Sequence, residues 1–248
     1  MNEKTLGSYE YKDRHLGDTQ GIIAATCPEV FYPTSTTDLL LGTVRNRVNP
    51  KTASALDLGC GCGIVAVVLA KLVLPKAAIC ASDISEAAVE LAKRNAASHQ
   101  VTIDCRCGSL FEPWAGRKFD LIVDDVAGMS EPIARRSQWY PPEVHSDAGE
   151  GGTRWIVEIL SRAPEHLTSS GEMFFPVLTL SDAPRIMDVA HKHFADVELV
   201  TEQWYPLGND LLPHLSLIEE LMGKGLVEVR KKGSRWLWAT KIYRASNH

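Results

Sequence analysis

An acid and three glycines at alternate positions, Asp57-x-Gly59-x-Gly61-x-Gly63, are the residues of this chain best suited to chemistry. Glycines at this density let the backbone turn tightly and let a ligand approach without Cβ atoms in the way. A glycine turn that opens a helix also presents free N–H groups and the positive end of the helix dipole. A pyrophosphate site usually spaces its glycines as G-x-G-x-x-G. Here a carboxylate stands two residues before the first glycine. It would repel a pyrophosphate and suits a cationic or amine-bearing ligand. A second acid, Asp83, follows Gly63 by 20 residues. A carboxylate there can accept two O–H bonds from a ribose diol. A third acidic place is the pair Asp124-Asp125 at the end of an apolar run. If both are partly buried, one pKa rises toward the range of a general base.

Elements must hold these residues in place. The apolar residues 53–58 read as a buried strand, and a helix runs from Ile64 to about residue 74, where Pro75 breaks the chain. Residues 77–83 read as a strand ending in Asp83. Ser85 then caps a helix over 86–97, with Ala88, Leu91, Ala92 and Asn95 at helical spacing. Strands follow at 101–107 and 119–126, the second ending in the acid pair. Further on come a helix at 154–167, a strand at 171–178 and a helix from Ser181 or Asp182 to about His193. A strand at 196–205, a helical insert at 213–224 and a hairpin over 226–244, turning at Lys232-Gly-Ser234, complete the chain. A helix also spans 38–47, while residues 1–30 are weakly patterned. This alternation predicts an α/β, doubly wound sheet with its ligand at the carboxyl ends of the strands.

The stretch from Asp57 to Gly63 resembles motif I of the class I S-adenosylmethionine (SAM) dependent methyltransferases. The opening Phe119-Asp-Leu-Ile-Val resembles motif IV of the same family. The resemblance covers about residues 30–200. It implies a Rossmann-like sheet of seven strands, the last antiparallel, with residues 51–248 as the SAM-dependent methyltransferase domain. Residues 1–50 would be an N-terminal extension packing near the active site. The implied cofactor is SAM, held by Asp57, Gly59, Cys60, Gly61, Gly63, Asp83, Ile84, Ser109, Leu110 and Asp124. Ser109 stands where relatives usually carry an acid for the adenine amino group, so only backbone groups of Ser109 and Leu110 would read adenine here.

The closest pattern is that of the small-domain group, which includes protein-glutamine and some RNA methyltransferases. A Pro-x-x-x-Thr segment lies against SAM and the acceptor in that group, and Phe31, Tyr32, Pro33 and Thr36 resemble it loosely. Motif IV in the glutamine and adenine-N6 enzymes ends in Asn-Pro-Pro-Tyr. The corresponding residues here are approximately Asp124-Asp-Val-Ala127. Aspartate accepts hydrogen bonds but cannot donate as asparagine does. The departure argues against a planar amide or nucleobase nitrogen and toward an amine, a hydroxyl or another small polar acceptor.

The long loop over 128–152 is where the family places its acceptor pocket. It carries Arg135 and Arg136, able to pair a carboxylate or phosphate, and Trp139 and Tyr140, able to stack on a flat substrate. Asp124, Asp125, Tyr140 and His145 are the candidate catalytic residues. The expected reaction is methyl transfer from SAM to a small-molecule amine or hydroxyl. A protein-glutamine or RNA substrate, or a non-catalytic SAM-binding role, are the alternatives.

Composition bounds this reading. A net charge of −5 argues mildly against a dominant nucleic-acid surface, although Arg230, Lys231, Lys232 and Arg235 cluster at the hairpin turn. The six cysteines include no C-x-x-C and no His/Cys cluster at zinc spacing, so no metal is expected and the free thiols suit a reducing compartment. No apolar run is long enough to span a bilayer, and the polar N-terminus lacks the apolar stretch of a signal peptide. The expectation is cytoplasmic, with no membrane partner.

Overall fold

The computed structural model describes residues 7–12, 21–126, 128–140, 144 and 148–247. Its centre is a sheet whose first parallel strands are β3 (Ser54–Leu58), β4 (Ala78–Asp83), β5 (Ile103–Cys107) and β6 (Phe119–Asp124). β7 (Leu167–Leu178), β8 (Asp196–Pro206), β9 (Arg230–Lys232) and β10 (Arg235–Ser246) extend it. The strand order is β5-β4-β3-β6-β7-β10-β8, with β9 paired to β10 off that path. β3 to β7 run parallel, and β10 is antiparallel to both β7 and β8. The seven-stranded expectation with an antiparallel last strand describes the main path, and the short hairpin arm β9 brings the sheet to eight strands.

Helices cover both faces because the parallel strands are apolar on both sides. α1 (Ser35–Arg47), α2 (Ile64–Val68) and α3 (Glu86–Ser98) lie on one face with Leu40, Val67 and Leu91 in its core. α2 continues as a wider π turn over Leu69–Val73. α5 (Arg154–Arg162) and α6 (Ala183–His193) cover the other face with Ile159, Leu160, Ile186 and Phe175. The short α4 (Glu131–Ala134) and α7 (Leu215–Gly223) share a third cluster with Trp238 and Leu180.

Element ends differ from the sequence reading where caps and prolines act. α1 begins at Ser35 because Thr34 forms a capping box with Thr37. α5 stops at Arg162, and Pro164 sits in the 3₁₀ turn that follows, where its missing N–H costs nothing. β7 begins at Leu167 rather than 171.

The weakly patterned N-terminal region holds an antiparallel ribbon that the sequence did not signal. It pairs β1 (Gly7–Tyr11) with β2 (Ile22–Thr26). Tyr9, Tyr11, Ile22 and Ala24 alternate inward and join the same apolar cluster as α1, α2 and α3. The ribbon is also pinned through Asn95 on α3. Asn95 Oδ1 accepts from the Ala25 N–H at 2.8 Å, and Nδ2 donates to Ala25 O at 3.0 Å and Cys62 O at 2.8 Å. No helix among the described residues is long and apolar enough to cross a membrane.

Candidate active site

A cleft of about 450 Å³ opens at the carboxyl ends of β3, β4 and β6. Its floor is the glycine turn after β3. Gly59, Gly61 and Gly63 have φ of +71°, +52° and +79°, a region that strains any residue with a Cβ. The three do different work. A Cβ on Gly59 would lie 2.5 Å from Val126 Cγ2, so Gly59 admits the end of β6. A Cβ on Gly63 would lie 2.7 Å from Ala92 Cβ, so Gly63 admits α3. A Cβ on Gly61 would meet nothing nearer than Phe31 O at 3.7 Å, so Gly61 leaves room in the cleft itself. The Gly59 and Cys60 N–H groups both donate to Ser82 O at 2.9 Å, tying the turn to β4.

Asp57 is fully buried beneath this turn. Its Oδ2 accepts from the Ala66 N–H at 2.9 Å, while Oδ1 has no partner. Burial pushes its pKa up to about 8 against the Ala66 bond, and Asp125 and Asp83 add to the rise. Asp83 accepts from the Gly61 N–H at 3.0 Å and the Ser85 N–H at 2.8 Å. Burial raises its pKa and those bonds oppose the rise. Ile84, Ser109 and Leu110 complete this half of the cleft. These residues fit SAM. An unpartnered buried carboxylate oxygen suits its ammonium, a second carboxylate one strand away suits its ribose diol, and the open glycine suits backbone contact.

The other half holds Phe31, Pro33, Thr37, Asp125, Val126, Tyr140, Val144 and Trp155. Asp125 Oδ2 accepts from Thr37 Oγ1 at 2.7 Å. Burial pushes the Asp125 pKa up to about 6, with the Thr37 bond opposing and Asp38 adding. The Tyr140 ring lies 5.2 Å from the Phe31 ring, and burial beside Asp125 raises the phenol's pKa. Glu29, Asp57, Asp83 and Asp125 all line the cleft, and no Lys, Arg or His does among the described residues.

Several candidate residues lie elsewhere. Asp124 does not line the cleft. It is fully buried, with Oδ1 accepting from the Val126 N–H at 3.0 Å and Oδ2 unpartnered. Neighbours at a strand end point to opposite sides, and Asp125 takes the cleft side. Thr36 points the other way from the cleft, its Oγ1 3.0 Å from Thr240 Oγ1, and Thr37 stands in its place. Tyr32 packs edge-on to Tyr9 at 5.8 Å and donates to Ser8 O. Arg135 pairs with Glu131 on its own helix turn, Arg136 donates to Pro132 O, and neither lines the cleft. Trp139 packs on Trp238 at 4.8 Å in the third apolar cluster. His145 lies outside the described residues. Thr37, Val30, Cys62, Ile64 and Trp155 also line the cleft, beyond the residues the sequence motifs mark. The Pro-x-x-x-Thr spacing counted from Pro33 gives Thr37, but the side chain of Trp155 had no signal beyond its helix. Among the described residues, no group of His, Cys, Asp or Glu is arranged to hold a metal.

Comparison with known proteins points to methyltransferases. Residues 30–125 match the methyltransferase small domain family. The chain is 34% identical over 155 residues to the release factor glutamine methyltransferase of Geobacter sulfurreducens, covering 61% of this chain and 54% of that protein. It is 36% identical over 124 residues to the ribosomal protein uL3 glutamine methyltransferase of Bradyrhizobium diazoefficiens, covering 47% of this chain and 38% of that protein. The chain spans about half the length of the first of these relatives. The solved structure of the T. Thermophilus 16S rRNA N2 G1207 methyltransferase, in complex with AdoMet and guanosine, shares the fold with a TM-score of 0.60 at 14% identity. That match covers 98% of this chain and 50% of the other. Over residues 30–125 the chain therefore resembles the methyltransferase small domain, and its sheet shares the fold of a solved methyltransferase that binds AdoMet.

Proposed function

We propose that this chain transfers the methyl group of SAM to a nitrogen acceptor on a protein of the translation machinery. The observation that carries the reading is one cleft with a donor half built on Asp57, Gly61 and Asp83 and an acceptor half built on Asp125. SAM, when bound, supplies a methyl group already activated on a sulfonium. Asp57 Oδ1 would hold its ammonium, and Asp83 its ribose diol. Phe31, Tyr140 and Trp155 would exclude water from the acceptor half and orient the incoming nitrogen. Asp125 would accept one of its N–H bonds.

The relatives named for release factor and uL3 glutamine support a protein acceptor over the small metabolite that the acid pair alone suggested. RNA is the second reading. The exposed Lys231, Lys232 and Arg235 on the β9–β10 hairpin project beyond the carboxyl ends of β7 and β8, the same end of the sheet as the cleft. Calorimetry with SAM and its demethylated product tests the donor site. Transfer from labelled SAM to release factor, to free ribosomal proteins and to ribosomal subunits tests the acceptor. Labelling of the protein fractions is expected. Labelling of rRNA with a steep salt dependence would select the second reading. Tight SAM binding with no labelling of any fraction would sink methyl transfer and leave a SAM-binding protein.

A further inference from the structure

We infer that Asp125 selects a cationic acceptor nitrogen, a guanidinium or ammonium on a protein side chain, over a neutral amide; this rests on the methyl-transfer reading of the same cleft. An amide presents an NH₂ and a carbonyl oxygen side by side. A pocket that reads it needs one acceptor and one donor in register. Asp125 supplies acceptors alone. Its neighbour Thr37 has committed its hydroxyl proton to Asp125 Oδ2 at 2.7 Å, so it shows the cleft only lone pairs. An amide oxygen placed beside this pair would face a carboxylate. A guanidinium presents parallel N–H groups that match a carboxylate's two oxygens, and an ammonium presents three donors and no acceptor.

The rest of the lining points the same way. Asp57 and Asp83 share the cleft with Asp125, and no Lys, Arg or His among the described residues lines it. Asp57 would hold the ammonium of SAM, which leaves Asp125 to the acceptor. A cation is drawn into such a cleft and a neutral amide is not. Among the described residues, Tyr140 is the one hydroxyl donor of the acceptor half not already used by Asp125. It therefore needs its own control.

In the step itself, the acceptor nitrogen gives up one N–H proton to Asp125 and attacks the methyl carbon with its lone pair. The new N–C bond forms as the C–S bond breaks, and that electron pair stays on sulfur. Asp125 returns its proton to water as the products leave.

The test uses the full chain and three peptides that differ only at one central residue, Arg, Lys or Gln, with guanosine as a nucleobase probe. Transfer from labelled SAM gives kcat/KM for each, and calorimetry gives SAM affinity for every variant. The wild-type chain is expected to favour the better of the Arg and Lys peptides over the Gln peptide by about 100-fold. Asp125→Asn should collapse that ratio to within about 10-fold by weakening the cationic peptide, with SAM still bound. Tyr140→Phe should leave the ratio in place. A wild-type chain that methylates the Gln peptide as well as the cationic ones would overturn the inference. So would an unchanged ratio in Asp125→Asn, or transfer to guanosine and to none of the peptides, or SAM binding without transfer to any probe. Loss of SAM binding by the wild-type chain would instead overturn the methyl-transfer reading on which the inference stands.

Discussion

Donor affinity should rise steeply with pH, and Asp57 sets the slope. Its carboxyl has an ordinary pKa of 3.8 and is held at about 8 in the fold, fully buried with Oδ1 unpartnered. The free protein thus binds a proton that the unfolded chain gives up. Its contribution to stability is present below the unfolded pKa and is lost as pH rises through about 8. A ligand ammonium at Oδ1 needs the ionised form and reverses this preference. The affinity for SAM then follows the ionised fraction of free Asp57. That fraction is about 1% at pH 6 and about a quarter at pH 7.5, so affinity should rise about 25-fold, or about 2 kcal/mol. Calorimetry in two buffers of different ionisation heat should show nearly one proton released per SAM bound at pH 6.5. Asp125, at about 6, affects only the lower end of this range. Asp57→Asn removes the titrating group and should flatten the curve while weakening binding at pH 7.5. A wild-type affinity constant within about threefold from pH 6 to 7.5, or an unchanged slope in Asp57→Asn, would refute the assignment of Asp57 to the donor's ammonium.

Gly59→Ala places a Cβ 2.5 Å from Val126 at φ +71°, and backbone strain plus overpacking should cost about 2–4 kcal/mol, read as a lower Tm and a weaker SAM Kd. Thr37→Val removes the hydroxyl bond to Asp125, worth about 1.5–3 kcal/mol, and should move the acidic limb of the transfer rate upward by about 1–2 pH units. Asn95→Leu strips the Ala25 N–H and the Cys62 C=O of a partner; urea unfolding should show a loss of about 2–4 kcal/mol, with faster hydrogen exchange at Ala25. The double change Arg135→Ala and Arg136→Ala should leave kcat/KM for the acceptor within about twofold, because both side chains bond within their own helix turn.

The donor half was legible in the sequence because its chemistry is local. A backbone that needs φ near +71°, +52° and +79° within five residues leaves only glycine, and the acid on the preceding strand is fixed by the same register. The acceptor half was less legible. Whether Asp124 or Asp125 enters the cleft depends on how β6 exits the sheet, and whether Thr36 or Thr37 does depends on the rotation of α1. Both differ by one residue, which reverses a side chain's direction on a strand and turns it by about 100° on a helix. The β1–β2 ribbon was missed because its stability comes from pairing and from Asn95, 70 residues beyond Ala25, rather than from its own pattern. The acid pair also led the reading toward a small metabolite. A carboxylate reports the polarity of the group it meets, not the size of the molecule carrying it.

Among the described strands, β8 meets the rest of the sheet only across β10, which lies between it and β7. The order in the sheet is therefore not the order of synthesis. While the chain is being made, β8 leaves the ribosome with no edge to join, and the flank of β7 stays open until β10 emerges and closes both gaps at once. A truncation inside β10 would cost two strands rather than one, and would expose β7 to pairing with other chains. Soluble yield should therefore fall in one abrupt step as a C-terminal truncation enters the span from Ser246 back to Thr240, where each residue of β10 is paired with both β7 and β8.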